Sequence, residues 1–248
     1  MRLKGKNAIV TGAGTGIGRA TVLRFAAEGA NVVAGVYQPH ETEQFRDPAV
    51  AAMVCDVTKE ASARELVQTA VGRFGGLDIL VNNAGIVVMA NAEETTDEDW
   101  DRVLDVNLRG LYYCSKHSVP EMFRRGGGAI VNVSSINGIR GNHRLFAYSA
   151  SKGGVVAATM SLALDYAAQN IRVNCVCPAT IADTPMVAQT FTEAANPELH
   201  HEYLLAKHPL GRLGRSDEVA NAILFLASEE SSFITGVALP VDGGRSIR

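Results

Sequence analysis

Apolar residues run through this chain in two alternating rhythms. Short continuous runs of strand length fall at Asn7–Thr11, Asn31–Val36, Ala51–Cys55, Ile79–Asn82, Ala129–Val133, Arg172–Cys177 and Val237–Val241. Between them, apolar residues recur at helical spacing over Ile17–Glu28, Lys59–Phe74, Asp97–Arg124, Ser151–Gln169 and Asp217–Ala227. Strands that are apolar throughout suit a parallel sheet covered on both faces. Their regular alternation with helices predicts a doubly wound α/β fold with right-handed crossovers. Two segments break the rhythm. Pro39 and Pro48 leave room for only a shortened helix, or none, between the second and third strands. Segment 184–215 has no strand and is divided by Pro185, Pro197 and Pro209. Such segments are often lids over active sites. With no repeat, low-complexity tract or linker, the reading is one dinucleotide-binding catalytic domain over 1–248, carrying a substrate lid at 184–215.

Composition narrows the function. The chain has 248 residues, 23 Lys or Arg against 26 Asp or Glu, and a formal net charge of −3. Hydrophobic residues make up 47% and charged ones 20%, as in ordinary globular proteins. The slightly acidic balance and scattered basic residues provide no footprint for nucleic acid. No apolar run approaches the ~18 residues of a membrane span, and the N-terminus leads directly into a strand without a signal-peptide pattern. The expectation is a soluble, cytoplasmic-type protein with no nucleic-acid or membrane partner. Cys55, Cys114, Cys175 and Cys177 form no C-x-x-C pair and read as small buried thiols, so no metal is expected.

The first strand runs into Gly12-Ala13-Gly14-Thr15-Gly16-Ile17-Gly18, and a helix follows. Glycines permit a tight turn and close backbone approach to a pyrophosphate, and the helix start offers unpaired N–H groups and partial positive charge. A plain tight strand-to-helix connection would use the same residues, but this one lies at the first β-α junction, where a dinucleotide fold requires it. Asp56-Val57 and Asn83-Ala84-Gly85 follow the third and fourth strands, at the carboxyl edge where open α/β sheets bind ligands. Each alone would read as an Asx-type turn.

After the fifth strand come Ser134-Ser135, then Tyr148 at the opening of a long helix, then Lys152 four residues on. Positions four apart share a helix face. An ammonium about 4 Å from a phenol, at an effective dielectric near 20, interacts by roughly 4 kcal/mol. Lys152 is therefore expected to depress the Tyr148 phenol from about 10 toward neutrality, as an acid/base catalyst requires. Tyr and Lys at this spacing also occur in surface helices without chemistry; the conjunction with the phosphate turn and the serine favours catalysis.

T-G-A-G-T-G-I-G from Thr11, N-N-A-G from Asn82, Asn107, Ser134-Ser135, Y-S-A-S-K from Tyr148 and V-D-G-G from Val241 together resemble the classical short-chain dehydrogenases/reductases, across essentially the whole chain. The resemblance implies a Rossmann sheet of seven parallel strands in the order 3-2-1-4-5-6-7. It implies Tyr148 as general acid/base, Ser135 bonded to the substrate oxygen, and Lys152 lowering the Tyr148 pKa and holding nicotinamide ribose hydroxyls. Asn107 would hold a water in the proton relay. It further implies tetramers, with one interface on the 97–124 and 151–169 helices and another on the last helix and strand.

The resemblance also locates cofactor choice at the end of the second strand. NAD-preferring members carry an acid where Val36 stands; NADP-preferring members carry Arg or Lys beside it or in the glycine turn. Val36-Tyr37 offers neither. A missing cation costs a phosphate more than a missing carboxylate costs a diol, so NAD is favoured and NADP is the alternative, with His40 able to reverse the choice. Pro178, Ile181 and Thr184 would serve the nicotinamide or pyrophosphate, although Ala179 replaces the family's glycine and the loop is one residue longer. Arg140, His143 and Arg144, just before Tyr148, suit an anionic or hydroxyl-rich substrate; a solvated loop or subunit contact is the plain alternative. The expected activity is hydride transfer between a nicotinamide cofactor and a small polar secondary alcohol or ketone, a hydroxy acid or sugar-derived polyol. The alternatives are a 3-oxoacyl thioester reductase using NADPH, and a non-catalytic nucleotide-binding scaffold.

Overall fold

The computed structural model describes residues 1–193 and 196–248. Seven strands, β1 (Asn7–Thr11), β2 (Asn31–Val36), β3 (Val50–Val54), β4 (Ile79–Asn82), β5 (Gly128–Val133), β6 (Ile171–Pro178) and β7 (Ala238–Val241), form one sheet in the order β3-β2-β1-β4-β5-β6-β7. Every pairing is parallel. Strand order reverses between β1 and β4, which opens a crevice at their carboxyl ends.

The continuous apolar runs are explained by burial on both sides. Ala8 and Val10 of β1 pack into the core formed with Val22 and Phe25 of α1 (Gly16–Ala27) and Val219, Ile223 and Leu224 of α8 (Ser216–Ala227). Ile9, between them, points into the opposite core. There it meets Leu66 and Ala70 of α2 (Glu60–Phe74), Met122 of the helix at Gly110–Arg124 and Ala163 of the helix at Phe146–Tyr166.

The stretch expected as one helix over Asp97–Arg124 is interrupted. It comprises α3 (Asp97–Leu104), a π-turn at Asp105–Arg109 and α4 (Gly110–Arg124). A π-turn adds one residue to a helical turn without disturbing the apolar stripe enough to be visible in sequence. The physical reason lies in Asn107, at its centre, which spends its side chain on the backbone of Ile86 rather than on its own helix. The helix α5 (Phe146–Tyr166) begins five residues before the expected Ser151, which puts Tyr148 in its first turn. Between β2 and β3 only a 3-10 turn, Pro39–Gln44, is present, with proline at its start.

After β6 the chain makes two short helices, α6 (Pro185–Glu193) and α7 (Pro197–Ala206), each opened by a proline. An isolated parallel bridge joins Ile181 to Gly214 and fastens the two ends of this excursion together.

Candidate active site

The glycine turn is shaped by close contact. Gly12 and Gly16 adopt positive φ (60° and 49°), a region open to glycine at little cost. A Cβ on Gly18 would overlap the Gly12 carbonyl, and one on Gly12 would press against Ala84. Asn83 locks the turn by donating from Nδ2 to the carbonyls of Thr11 (2.9 Å) and Gly12 (3.0 Å). The Thr11 hydroxyl accepts from the amides of Asn83 and Ala84. Thr15, at the start of α1, makes no side-chain cap, and the first turn carries no acidic residue. The helix therefore presents free N–H groups and its positive dipole end to the crevice, the arrangement a pyrophosphate requires.

The segment after β6 closes on this turn from the other side. The Thr184 methyl lies where a Cβ on Gly16 would touch it at 3.0 Å. The Thr184 hydroxyl donates to the Ile181 carbonyl at 2.8 Å. Pro178 ends β6 opposite Val241. Asp56 holds the turn after β3, accepting from the amide and hydroxyl of Thr58, while Val57 is buried beneath Gly110.

Ser135, Tyr148 and Lys152 meet in one buried place at the carboxyl edge of β5. The Ser134 hydroxyl donates to the Lys152 carbonyl at 2.8 Å. Gly138 lies so close to the same carbonyl that a side chain there would collide with it. These contacts hold the end of β5 against the first turns of α5. Tyr148 is only 7% exposed and Lys152 3%. Burial raises the Tyr148 phenol above its ordinary value, and a hydrogen bond from Ser135 pulls it back.

This corrects the expectation that Lys152 would dominate the phenol. The Lys152 ammonium lies 5.8 Å from the Tyr148 ring centroid and donates to the Val133 carbonyl at 2.9 Å. It faces the strand end, and its own burial brings it down to about 8. Asn107 bridges the surrounding elements: its Oδ1 accepts from the Ile86 amide at 2.8 Å. Its Nδ2 donates to the Ile86 carbonyl and to Ser151 Oγ. Both amide hydrogens are thus committed, so any water it holds must use an acceptor. A Cβ on Gly85 would lie 3.2 Å from Lys152 Nζ and 3.3 Å from Asn107 Oδ1, which places all three residues around one point.

Comparison with known proteins gives the family. A family model described as "Enoyl-(Acyl carrier protein) reductase" matches residues 12–246. The chain is 44% identical to a 3-oxoacyl-[acyl-carrier-protein] reductase of Thermotoga maritima, over 98% of this chain and 99% of that one. It belongs to the short-chain dehydrogenase/reductase family. A cis-4-hydroxycyclohexanecarboxylate dehydrogenase of Sinomonas cyclohexanicum is 44% identical, covering 96% of this chain and 95% of its own. The ligand-free structure of Thermoplasma acidophilum aldohexose dehydrogenase superimposes with a TM-score of 0.91 at 40% identity, over 99% of this chain and 96% of that one.

In this short-chain dehydrogenase/reductase the two arginines and the histidine expected at the substrate separate. Arg144, with φ 55°, is ion-paired to Glu94 at 2.8 Å. His143 is exposed, its amide bonded to Asn142. Only Arg140 faces a cavity, of about 350 Å³, which it shares with Asn137, Tyr203, Lys207, Arg245 and Arg248. At the other end of the crevice, Val36 is fully buried and Tyr37 largely exposed.

An acidic group nevertheless reaches that end from outside the expected position. Glu41, in the 3-10 turn, accepts from the amides of Tyr37 (3.1 Å) and Gln38 (2.9 Å). Its carboxylate occupies the space beside Gly14 that a Cβ there would need. Sequence reading missed both Glu41 and the Lys207–Arg245 group; the sole available signal for Glu41 was an acid following Pro39 in a segment too short for a full helix.

The buried lysine has a measurable consequence. Unfolded, Lys152 titrates near 10.5; folded, near 8. Between those values the unfolded chain holds a proton that the folded one does not, so stability rises with pH across that window. Below pH 8 the full penalty applies, up to about 3 kcal/mol at 1.36 kcal/mol per unit. Lys152→Met should be more stable than the parent in urea at pH 7, with the gap narrowing from pH 8 to 10.5. A constant gap over that range would show that the ammonium is no burden.

Proposed function

We propose that the protein is an NAD-dependent dehydrogenase/reductase of a small polar secondary alcohol or ketone, a hydroxy acid or sugar-derived polyol. The observation that carries this reading is the buried meeting of Ser135, Tyr148 and Lys152 beside a glycine turn with a free helix N-terminus. Gly12, Gly14, Thr15, Gly16, Ile17 and Gly18 would hold the pyrophosphate, and Asp56, Val57 and the 83–85 turn would border the adenosine. Pro178, Ile181 and Thr184 would border the nicotinamide, which supplies or accepts the hydride when bound. Segment 184–215 would cover the substrate, within one catalytic domain.

Tyr148 transfers the proton. Ser135 donates to the phenol's oxygen, and the same two groups can hold the oxygen of a secondary alcohol between them. The upward shift keeps the resting phenol protonated at neutral pH, which prepares it as the acid of carbonyl reduction; alcohol oxidation needs the phenolate and gains as pH rises. Lys152, near 8, stays mostly charged at pH 7 and can offer its remaining hydrogens to ribose hydroxyls. Tyr148→Phe should reduce turnover by at least a thousandfold over a panel of alcohols and ketones, while NADH still binds in a fluorescence titration. Retained turnover would remove Tyr148 from the proton transfer.

Glu41 supports NAD. Its carboxylate lies at the end of β2, on the amides of Tyr37 and Gln38 and beside Gly14 rather than at the Val36 position, where it could accept from ribose hydroxyls and would repel a 2′-phosphate. Replacing it with glutamine should weaken NADH binding roughly tenfold or more, from the worth of a charge-assisted hydrogen bond. NADPH binding tenfold tighter than NADH by the unaltered protein would overturn the choice. The second reading, a thioester reductase, is favoured by the name of the Thermotoga maritima relative and disfavoured by Glu41, since it calls for NADPH.

Assembly follows the same resemblance. Tyr112 and Phe123 on α4 and Met160 and Leu164 on α5 are exposed, Leu164 by 84%. Apolar side chains left on these two helices support the expected tetramer interface. Leu164→Glu should reduce the mass found by light scattering to that of a smaller assembly; an unchanged mass would place the interface elsewhere.

A further inference from the structure

Arg245 is 8% exposed, yet its partner is a neutral one: Nη1 donates to the hydroxyl of Thr180. Among the described residues no carboxylate lies within ion-pair distance of it. The nearest guanidinium aggravates matters. Arg140 reaches across to donate to the Arg245 carbonyl; burial first, and then the Arg140 charge, lower the Arg245 pKa against the opposing influence of Tyr203 and Asp242. Asp242 itself is occupied by the amides of Gly244 and Ser246. Lys207 completes the wall, its ammonium 3.7 Å above the Tyr203 ring. Among the described residues no Asp or Glu side chain lines this cavity, whereas Arg140, Lys207, Arg245 and Arg248 all do.

Burying a guanidinium without a counter-charge is costly. A cavity of about 350 Å³ is also within the range of small-ligand sites. The cavity adjoins the reacting groups on two sides. Asn137, which lines it, donates its amide to Ser135 Oγ at 3.1 Å. Thr180, bonded to Arg245, immediately precedes Ile181 in the loop that closes on the glycine turn. An anionic group held here is joined to the Ser135–Tyr148 site through these two residues.

We propose that this cavity is an oxyanion subsite that takes the carboxylate or phosphate of the substrate, with Arg245 as its buried anchor and Arg140 and Lys207 as its outer clamp. This deepens the dehydrogenase reading and rests on it: the substrate is a secondary alcohol or ketone that also carries an acid. Guanidinium groups bind carboxylate and phosphate in a planar, two-bond geometry, which fits two arginines set against each other. Arg144, paired with Glu94, takes no part.

Two measurements on the full chain test it. Inorganic phosphate is titrated calorimetrically into the parent, Arg140→Gln, Lys207→Gln and Arg245→Lys proteins, the last retaining the buried charge. Turnover with NAD is compared for 3-hydroxybutyrate and 2-butanol, which lacks the acid. Phosphate should bind the parent and lose tenfold or more in affinity in the two glutamine variants. The KM for 3-hydroxybutyrate, taken relative to that for 2-butanol, should rise tenfold or more in those variants, with Arg245→Lys intermediate. Equal phosphate affinity in parent and variants overturns the site, as does a KM that rises alike for both alcohols. Phosphate binding lost in the variants while the parent turns over both alcohols equally well overturns its link to substrate. Absence of turnover with any alcohol or ketone would instead sink the dehydrogenase reading, and the phosphate titration would then decide the anion site by itself.

Discussion

The Lys152 carbonyl is the point on which the site depends. Ser134 donates to it and Gly138 is pressed against it, so the end of β5 is held against the start of a long helix. Neither contact is strong alone, since a hydrogen bond contributes about 1 kcal/mol net. Their effect is geometric: they set Ser135 and Tyr148 facing each other and draw Lys152 out of water. The protonation states follow, with the phenol raised and the ammonium lowered by the same burial. The site is thus electrostatically tense before any ligand arrives, which is common where chemistry is done.

A similar tension marks the two ends of the crevice. At one, a helix N-terminus without a side-chain cap faces the glycine turn, with the Glu41 carboxylate beside it. At the other, Arg245 is buried against Arg140. The first arrangement suits a pyrophosphate next to neutral hydroxyls, and the second suits an oxyanion. Between them lies the polar seat of Ser135 and Tyr148. This order of charge along the crevice is the one that the proposed pairing of a dinucleotide with an acid-bearing alcohol or ketone would require.

The parallel sheet was legible because its strands are buried on both faces, so each appears as an unbroken apolar run. The boundaries moved by a residue or so, as with β3 at Val50–Val54 instead of Ala51–Cys55. The π-turn at Asp105–Arg109 was not legible, since one added residue leaves the apolar stripe nearly intact. Helix α5 started early because Phe146 and Ala147 precede the clear apolar period and are ordered by tertiary contact: the Phe146 amide donates to the Ala90 carbonyl and its ring packs near Trp100.

Order along the chain was enough to determine the strands and most of the helices, the family and the residue types available at each strand end, because these depend on local periodicity and on short spacings. Direction in space was decided only by the folded molecule. Helical spacing places Lys152 on the side of Tyr148, but the Val133 carbonyl turns its ammonium aside. Proximity in sequence groups Arg140 with Arg144, but Glu94, some fifty residues earlier, claims the latter and the chain's last turn brings Arg245 to the former. Such pairings join segments distant in the chain, and a charge finds its partner through space, where sequence distance carries no weight.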